Sequence, residues 1–394
     1  MQMVLFNSIN IVTYQLLPPS QTNDFYSFLL SLFYFLIFIM FFVSMLFPGL
    51  QLSLFTTFSL RRIGDKITIL DELDLKSKKT LAEQLKKFGA DGEKLSEHVR
   101  ELTEFFEISP VDRDPAGILN RLEYILDLTR YRFRSLLKLY APKVDENALS
   151  TLEDTASIAQ VIHLINRIAK HYYNMAKKFK NYYIAQQVEF ILPFLIDMAK
   201  NYFRALPATT LEVPIGDGIG PMVIARMYKE FGVNEIKELG NEMVVGEAEF
   251  QNRKLLLMKA SGPAGRVGKP GAAVKQLVKS LEGKVNLIVT IDAALKLEGE
   301  ETGEIAQGVG AAIGDPGPEK YKIEESALEY RIPLVAIIIK QGFNDAISPM
   351  IKTIADKVDD VVNRVKNLVL ETVPEGGIAL IVGIGNTLGI GNAS

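Results

Sequence analysis

The sequence predicts an α/β protein in three parts: an N-terminal transmembrane helix, an all-α helical region and a glycine-rich, doubly wound α/β domain. Three observations predict it. Residues 1–60 hold one charged residue, Asp24, and 11 of the 22 Phe, whereas all 44 basic and 46 of the 47 acidic residues fall in 61–394. Apolar residues at helical spacing dominate 61–204. Of the 29 Gly, 24 follow residue 205, where short apolar runs alternate with amphipathic stretches. The expected boundaries are 1–60, 61–204 and 205–394.

The first part is the plainest. Phe25 to Phe47 are uncharged, and as a helix 23 residues rise ~34 Å, enough to cross a ~30 Å hydrocarbon core. Pro48-Gly49 should end it. A basic n-region and a small-residue cleavage site are missing, so a retained single-pass anchor in the cell membrane is expected rather than a cleaved signal. No Lys or Arg precedes the span and Arg61, Arg62 and Lys66 follow it. The positive-inside rule then puts the N-terminus outside and the rest in the cytoplasm.

In the second part, LAEQLKKF, GILNRLEYILDLTRYRFRSLLKLY and IAQVIHLINRIAKHYYNMAKKF show helical spacing. Pro110, Pro115, Pro142 and Pro193 punctuate them, with Asp114-Pro115 and Asp145 to Asn147 as caps and loops, giving five or six helices. Residues 161–204 carry seven basic residues against Glu189 and Asp197, interleaved with Tyr172, Tyr173, Tyr182 and Tyr183. Such a face suits a solvated helix surface, anionic headgroups of a lipid bilayer or RNA. His163 and His171 lie two turns apart, a spacing that favours structural roles over shared metal ligation.

Four apolar runs in the third part have the length of buried parallel strands: 255–260, 285–292, 332–340 and 378–385. Amphipathic helices are expected at 221–231, 271–282 and 346–370, and the alternation places functional loops at the strands' carboxyl ends. In PIGDGIGP, Gly216, Gly218 and Gly220 permit a tight turn, Pro221 suits the first helical position, and Asp217 precedes a helix N-terminus that favours its ionised form. Asp292 closes an apolar run, and a carboxylate there needs a partner, water or a ligand. SGPAGRVGKPG sets Arg266 and Lys269 among Gly265 and Gly268 as an anion cradle, but it lacks P-loop spacing and the Ser or Thr after the Lys. GIGNTLGIGN holds Gly383, Gly385 and Asn386 and suggests a dinucleotide fingerprint, with no helix following to receive a pyrophosphate. The acidic EGEETGE at 298–304 is a solvated turn or a hard-cation loop.

Composition excludes much else. Without Cys there is no disulfide, thiolate nucleophile or Cys-type zinc site, and three His leave little for an imidazole-based one. No cofactor or metal is implied. A net charge of −3 gives no reason to expect nucleic acid as a partner.

Taken together, FEISPVDRDPAGILNRLEYIL, PIGDGIGPMVIARM, SGPAGRVGKPG, TIDAALKLEGEETGEIAQGVGAAIG and VGIGNTLGIGN resemble an uncharacterised archaeal family of membrane proteins known as a domain of unknown function. GDGIGP opening a helix, TIDAAL closing a strand and RIPLVAIIIKQGFNDAI in that order are similar to the germination-protease and hydrogenase-maturation-protease fold. That resemblance implies catalytic roles for Asp217 and Asp292. It does not extend to a nickel-directed His, since none follows residue 171, and VGIGN, which opens those folds, here lies at 381–386. Two functions follow. One is a membrane-anchored scaffold whose glycine loops bind a ligand or peptide and whose helical region docks or forms a homo-oligomer. The other is a membrane-tethered hydrolase, a peptidase, in which Asp217 and Asp292 share a proton.

Overall fold

The computed structural model describes residues 19–109, 117–211, 213–314 and 317–392. The expected tail at 1–18, Pro110 and the Asp114-Pro115 cap lie outside them. The fold is α/β: an apolar N-terminal helix, a helical region, then a mixed seven-stranded sheet.

Helix α1 (Pro19–Leu46) contains Phe25–Val43, which is long and apolar enough to cross a membrane or to serve as a signal sequence; among the described residues no other helix is. None of that window is buried in the protein. Pro48 opens α2 (Pro48–Lys87), a 40-residue helix, and α3 (Leu95–Thr103), α4 (Ile118–Tyr140), α5 (Glu146–Phe179) and α6 (Tyr182–Leu211) follow. Pro142 separates α4 from α5, and the Asp145 carboxylate caps α5 by accepting the N–H groups of Asn147 and Ala148. Pro193, expected to break a helix, lies inside α6. Two missing N–H groups, at Pro193 and Pro207, are tolerated in a 30-residue helix with an extensive apolar face.

The chain forms two compact units. One runs up to Lys66 and includes Lys170–Leu192; within it Arg62 pairs with Glu189 at 2.6 Å and Phe55 packs on Tyr182. The other joins Ile67–Ala169 to Pro193–Ser394. Its helical part closes on Leu81, Leu85, Leu102, Leu137, Leu149 and Leu152, all buried. His163 binds the Asp74 carboxylate at 3.0 Å there, with Lys78 Nζ 2.8 Å from its Nδ1, a structural role.

The sheet order is β1-β2-β3-β7-β4-β6-β5. The strands are β1 (Ile236–Gly240), β2 (Met243–Phe250), β3 (Arg253–Ala260), β4 (Leu287–Leu295), β5 (Ile305–Val309), β6 (Leu334–Gln341) and β7 (Ile378–Gly383). The four apolar runs are the parallel centre β3, β7, β4 and β6. β1 and β2 on one side and β5 on the other pair antiparallel. Alternation in the strands sends Leu257, Val289, Ile337 and Ile381 to one face and Met258, Ile288 and Leu380 to the other. Helices α7 (Ile219–Glu230) and α12 (Val358–Thr372) cover the first; α8 (Pro270–Ser280) and α9 (Pro318–Glu329) cover the second.

Three expectations change. Helix α7 starts at Ile219, two residues before Pro221, after a 3-10 turn at Gly216–Gly218. The single helix expected at 346–370 is three: α10 (Phe343–Ile347), α11 (Lys352–Ala355) and α12. Asp292 does not end its strand, because β6 keeps offering partners as far as Gln341, opposite Leu295.

Candidate functional site at the carboxyl edge of the sheet

Chain direction diverges between β4 and β7. The chain leaves β4 toward β5 and β6, whereas the segment after β7 crosses to β3, where Asn392 Oδ1 accepts from Lys259 Nζ at 2.8 Å. In doubly wound sheets this switch point at the strands' carboxyl ends is the customary ligand crevice. Asp292 projects from β4 one residue beyond Ile291, the partner of Gly383 on β7. Gly385 and Asn386 follow β7 directly.

Asp292 is 5 % exposed and accepts the Ala293 N–H at 2.7 Å and the Gly314 N–H. Burial holds its carboxyl well above the usual carboxylate range, and the charge of Asp217 raises it further. Asp217, in the 3-10 turn, accepts the Asn386 N–H at 2.9 Å through Oδ2. It makes no cap bond to α7, and burial outweighs that single N–H to raise its pKa rather than lower it. The ionised form expected from the helix dipole is therefore disfavoured by desolvation.

The glycines serve the chain's own packing. A Cβ on Gly220 would meet the carbonyl oxygens of Ile384 and Ile291, one on Gly383 the Gly220 carbonyl, and one on Gly218 the Asn386 carbonyl. A Cβ on Gly216 would strike Asp345, and Gly385, at φ +131°, faces the Asp217 carbonyl. These residues let α7 and the segment after β7 lie backbone to backbone across the sheet edge. Gly268, at φ +64°, abuts Met243.

The basic residues of the third loop are also engaged. Arg266 donates to Asn147 Oδ1 at 3.0 Å, and Lys269 pairs with Asp127 at 2.6 Å and Glu123 at 3.5 Å. These contacts fasten the loop to α4 and α5. Likewise, Glu300 and Glu304 of the acidic turn bind Lys340 at 2.6 and 2.9 Å.

A cavity of about 170 Å³ opens beside this edge, between α5, α6, the end of α10 at Ile347 and the loops that carry Ile215, Asn386 and Leu388. Asp154 of α5 lines it. Its Oδ2 is buried without a hydrogen-bond partner among the described residues, and burial, with Glu153 adjacent, pushes its pKa up to about 8. Gly265 makes room for it, since a Cβ there would strike Oδ2. Tyr202, Ser157 and Thr209 add hydroxyls to otherwise apolar walls.

Two further buried groups escape sequence reasoning. Lys259 of β3 is 0 % exposed, donates to the Ala260 carbonyl and Asn392, and has its pKa pushed down to about 8 by burial. A lysine inside the apolar run LLLMKA was its signal. Gln341 is 0 % exposed, with both amide atoms lacking a hydrogen-bond partner among the described residues.

Residues 36–211 match a protein of unknown function (DUF1512) N-terminal domain and residues 215–391 the DUF1512 C-terminal domain. The chain belongs to the DUF1512 family. The junction between these two family domains falls at the turn leading into Gly216 and Asp217, so the cavity draws its walls from both. No curated protein matches the chain.

Proposed function

We propose that this DUF1512 protein is anchored in the cell membrane and binds a small ligand or a peptide end in the cavity beside the switch point of its sheet. One observation carries the reading: the largely apolar cavity is lined by a carboxyl, Asp154, whose Oδ2 has no hydrogen-bond partner among the described residues. A buried polar group left unmade costs roughly 1–3 kcal/mol, a cost that a ligand would remove. The exposed apolar surface of Phe25–Val43 supports the anchor, and the Arg61, Arg62 and Lys66 flank supports a cytoplasmic cavity. The test is ligand-observed NMR of a fragment set on the full chain in lipid nanodiscs, against Ser157→Phe, which fills the cavity. Fragments should be lost in the variant; an identical fragment profile in both would overturn the reading.

A second reading, a hydrolase of the germination-protease type, is supported by one observation: the charge of Asp217 acts on the buried Asp292 carboxyl. Two acids held apart in pKa suit one proton donor and one water-activating base. Peptide hydrolysis that disappears in both Asp217→Asn and Asp292→Asn would establish it.

A further inference from the structure

Resting on the cavity as a ligand site, we propose that its ligand is a primary ammonium on a small apolar body, with the ammonium donating to Asp154 and the body filling the space between α5, α6 and Leu388. Three observations converge. The described lining contains one ionisable acid and no Lys, Arg or His, so it offers nothing to neutralise an anion and one group to neutralise a cation. Asp154 lines the cavity, and its Oδ2, buried against Gly265, has no hydrogen-bond partner among the described residues. The walls around it are Ile158, Val161, Ala205, Ile215, Ile347 and Leu388. A cavity of roughly 150 Å³ accommodates a benzene-sized molecule, so the apolar body is limited to about six carbons.

The charged groups acting on Asp154 are Glu153 beside it on α5, which disfavours its charge, and Arg130 of α4, which favours it. From α6 the lining side chains are the uncharged Tyr202, Ala205 and Thr209, and from the loop after β7 Asn386 and Leu388. With its pKa near 8, the empty site holds a neutral carboxyl at pH 6–7. An ammonium must ionise it, which releases one proton and forms a charge-assisted hydrogen bond in a low-dielectric pocket. Affinity therefore rises about tenfold per pH unit up to pH 8 and then levels, while the amine itself stays charged.

The test is isothermal titration of the full chain in nanodiscs with cyclohexylamine and its neutral isostere cyclohexanol, referenced to empty nanodiscs. The expected result is cyclohexylamine at least tenfold tighter, about one proton released per amine at pH 6, and a tenfold or greater loss in Asp154→Asn with cyclohexanol unchanged. Cyclohexanol binding as tightly as the amine, or undiminished amine binding in Asp154→Asn, overturns the ammonium assignment and leaves the cavity reading standing. Failure of both probes on the native chain removes the cavity reading and this inference together. Leucinamide against N-acetyl-leucinamide separates the sources: binding of the free form alone extends the ligand to peptide amino termini, and binding of neither, with cyclohexylamine bound, restricts it to free amines.

Discussion

The Asp217 carboxylate accepts the Asn386 N–H at 2.9 Å, across 169 residues of chain. That bond ties the turn that opens the α/β domain to the loop that follows its last strand. Gly385, whose φ of +131° places it against the Asp217 carbonyl, makes the approach possible. Asp217→Ala should therefore leave a buried N–H unmade and cost about 1–3 kcal/mol in denaturant unfolding. Asp217→Asn, which keeps an acceptor, should cost less than half of that.

Asp292→Asn should leave the thermal midpoint at pH 7 nearly unchanged. Its carboxyl is held well above the carboxylate range and an amide oxygen can accept the same Ala293 and Gly314 N–H groups. A loss above about 2 kcal/mol would show instead that the ionised form stabilises the fold.

The pH dependence of stability has a defined sign. A carboxyl whose folded pKa is raised binds its proton more tightly when folded. Its contribution is full below the unfolded pKa of about 4 and is lost as pH rises toward the folded value. For Asp154, with a folded pKa of about 8, stability should fall between pH 4 and pH 8, by as much as about 1.4 kcal/mol per unit. Chemical unfolding of Asp154→Asn across that range should show a flatter slope.

Lys259 acts at higher pH. Its folded pKa of about 8 lies below the 10.5 of a free lysine, so the unfolded chain binds more protons between those values and stability rises with pH there. Lys259→Met should abolish that rise, measured between pH 8 and 10.5, and lose the bond to Asn392.

Gly265→Ala should collide with Asp154 and destabilise by about 1–3 kcal/mol. Pairing it with Asp154→Ser, which withdraws the oxygen, should recover part of the loss in a double-mutant cycle; strict additivity would deny the contact.

The central strands were legible because a strand buried on both faces is a continuous apolar run, as LLLMKA and IALIVG are. β1 and β5 escaped notice because edge strands such as IKELG and IAQGV are half exposed and carry no such run, and β2 because Gly246 and Glu247 interrupt MVVGEAEF after three apolar residues. α9 was missed because PEKYKIEESALE buries little beyond Ile323, Ser326 and Ala327 and exposes Leu328. Asp217 and Asp292 stood out as acids in apolar or glycine-rich settings. Asp154 did not, because LEDTAS reads as an ordinary helix turn and the Gly265 against which its Oδ2 packs lies 111 residues away. Arg266 and Lys269 looked free because their partners Asn147, Asp127 and Glu123 are 119 to 146 residues distant.

The strand at the centre of the sheet, β7, is synthesised after the six others of that sheet. Until Ile378–Gly383 emerges from the ribosome, β3 and β4 have no partner for their facing edges, and neither half of the sheet can complete its core. Helical layers can form early during translation, but the α/β domain must wait as two open-edged halves. A nascent chain arrested before residue 378 would present two apolar strand edges to its neighbours, so translational stalling near that codon should provoke aggregation.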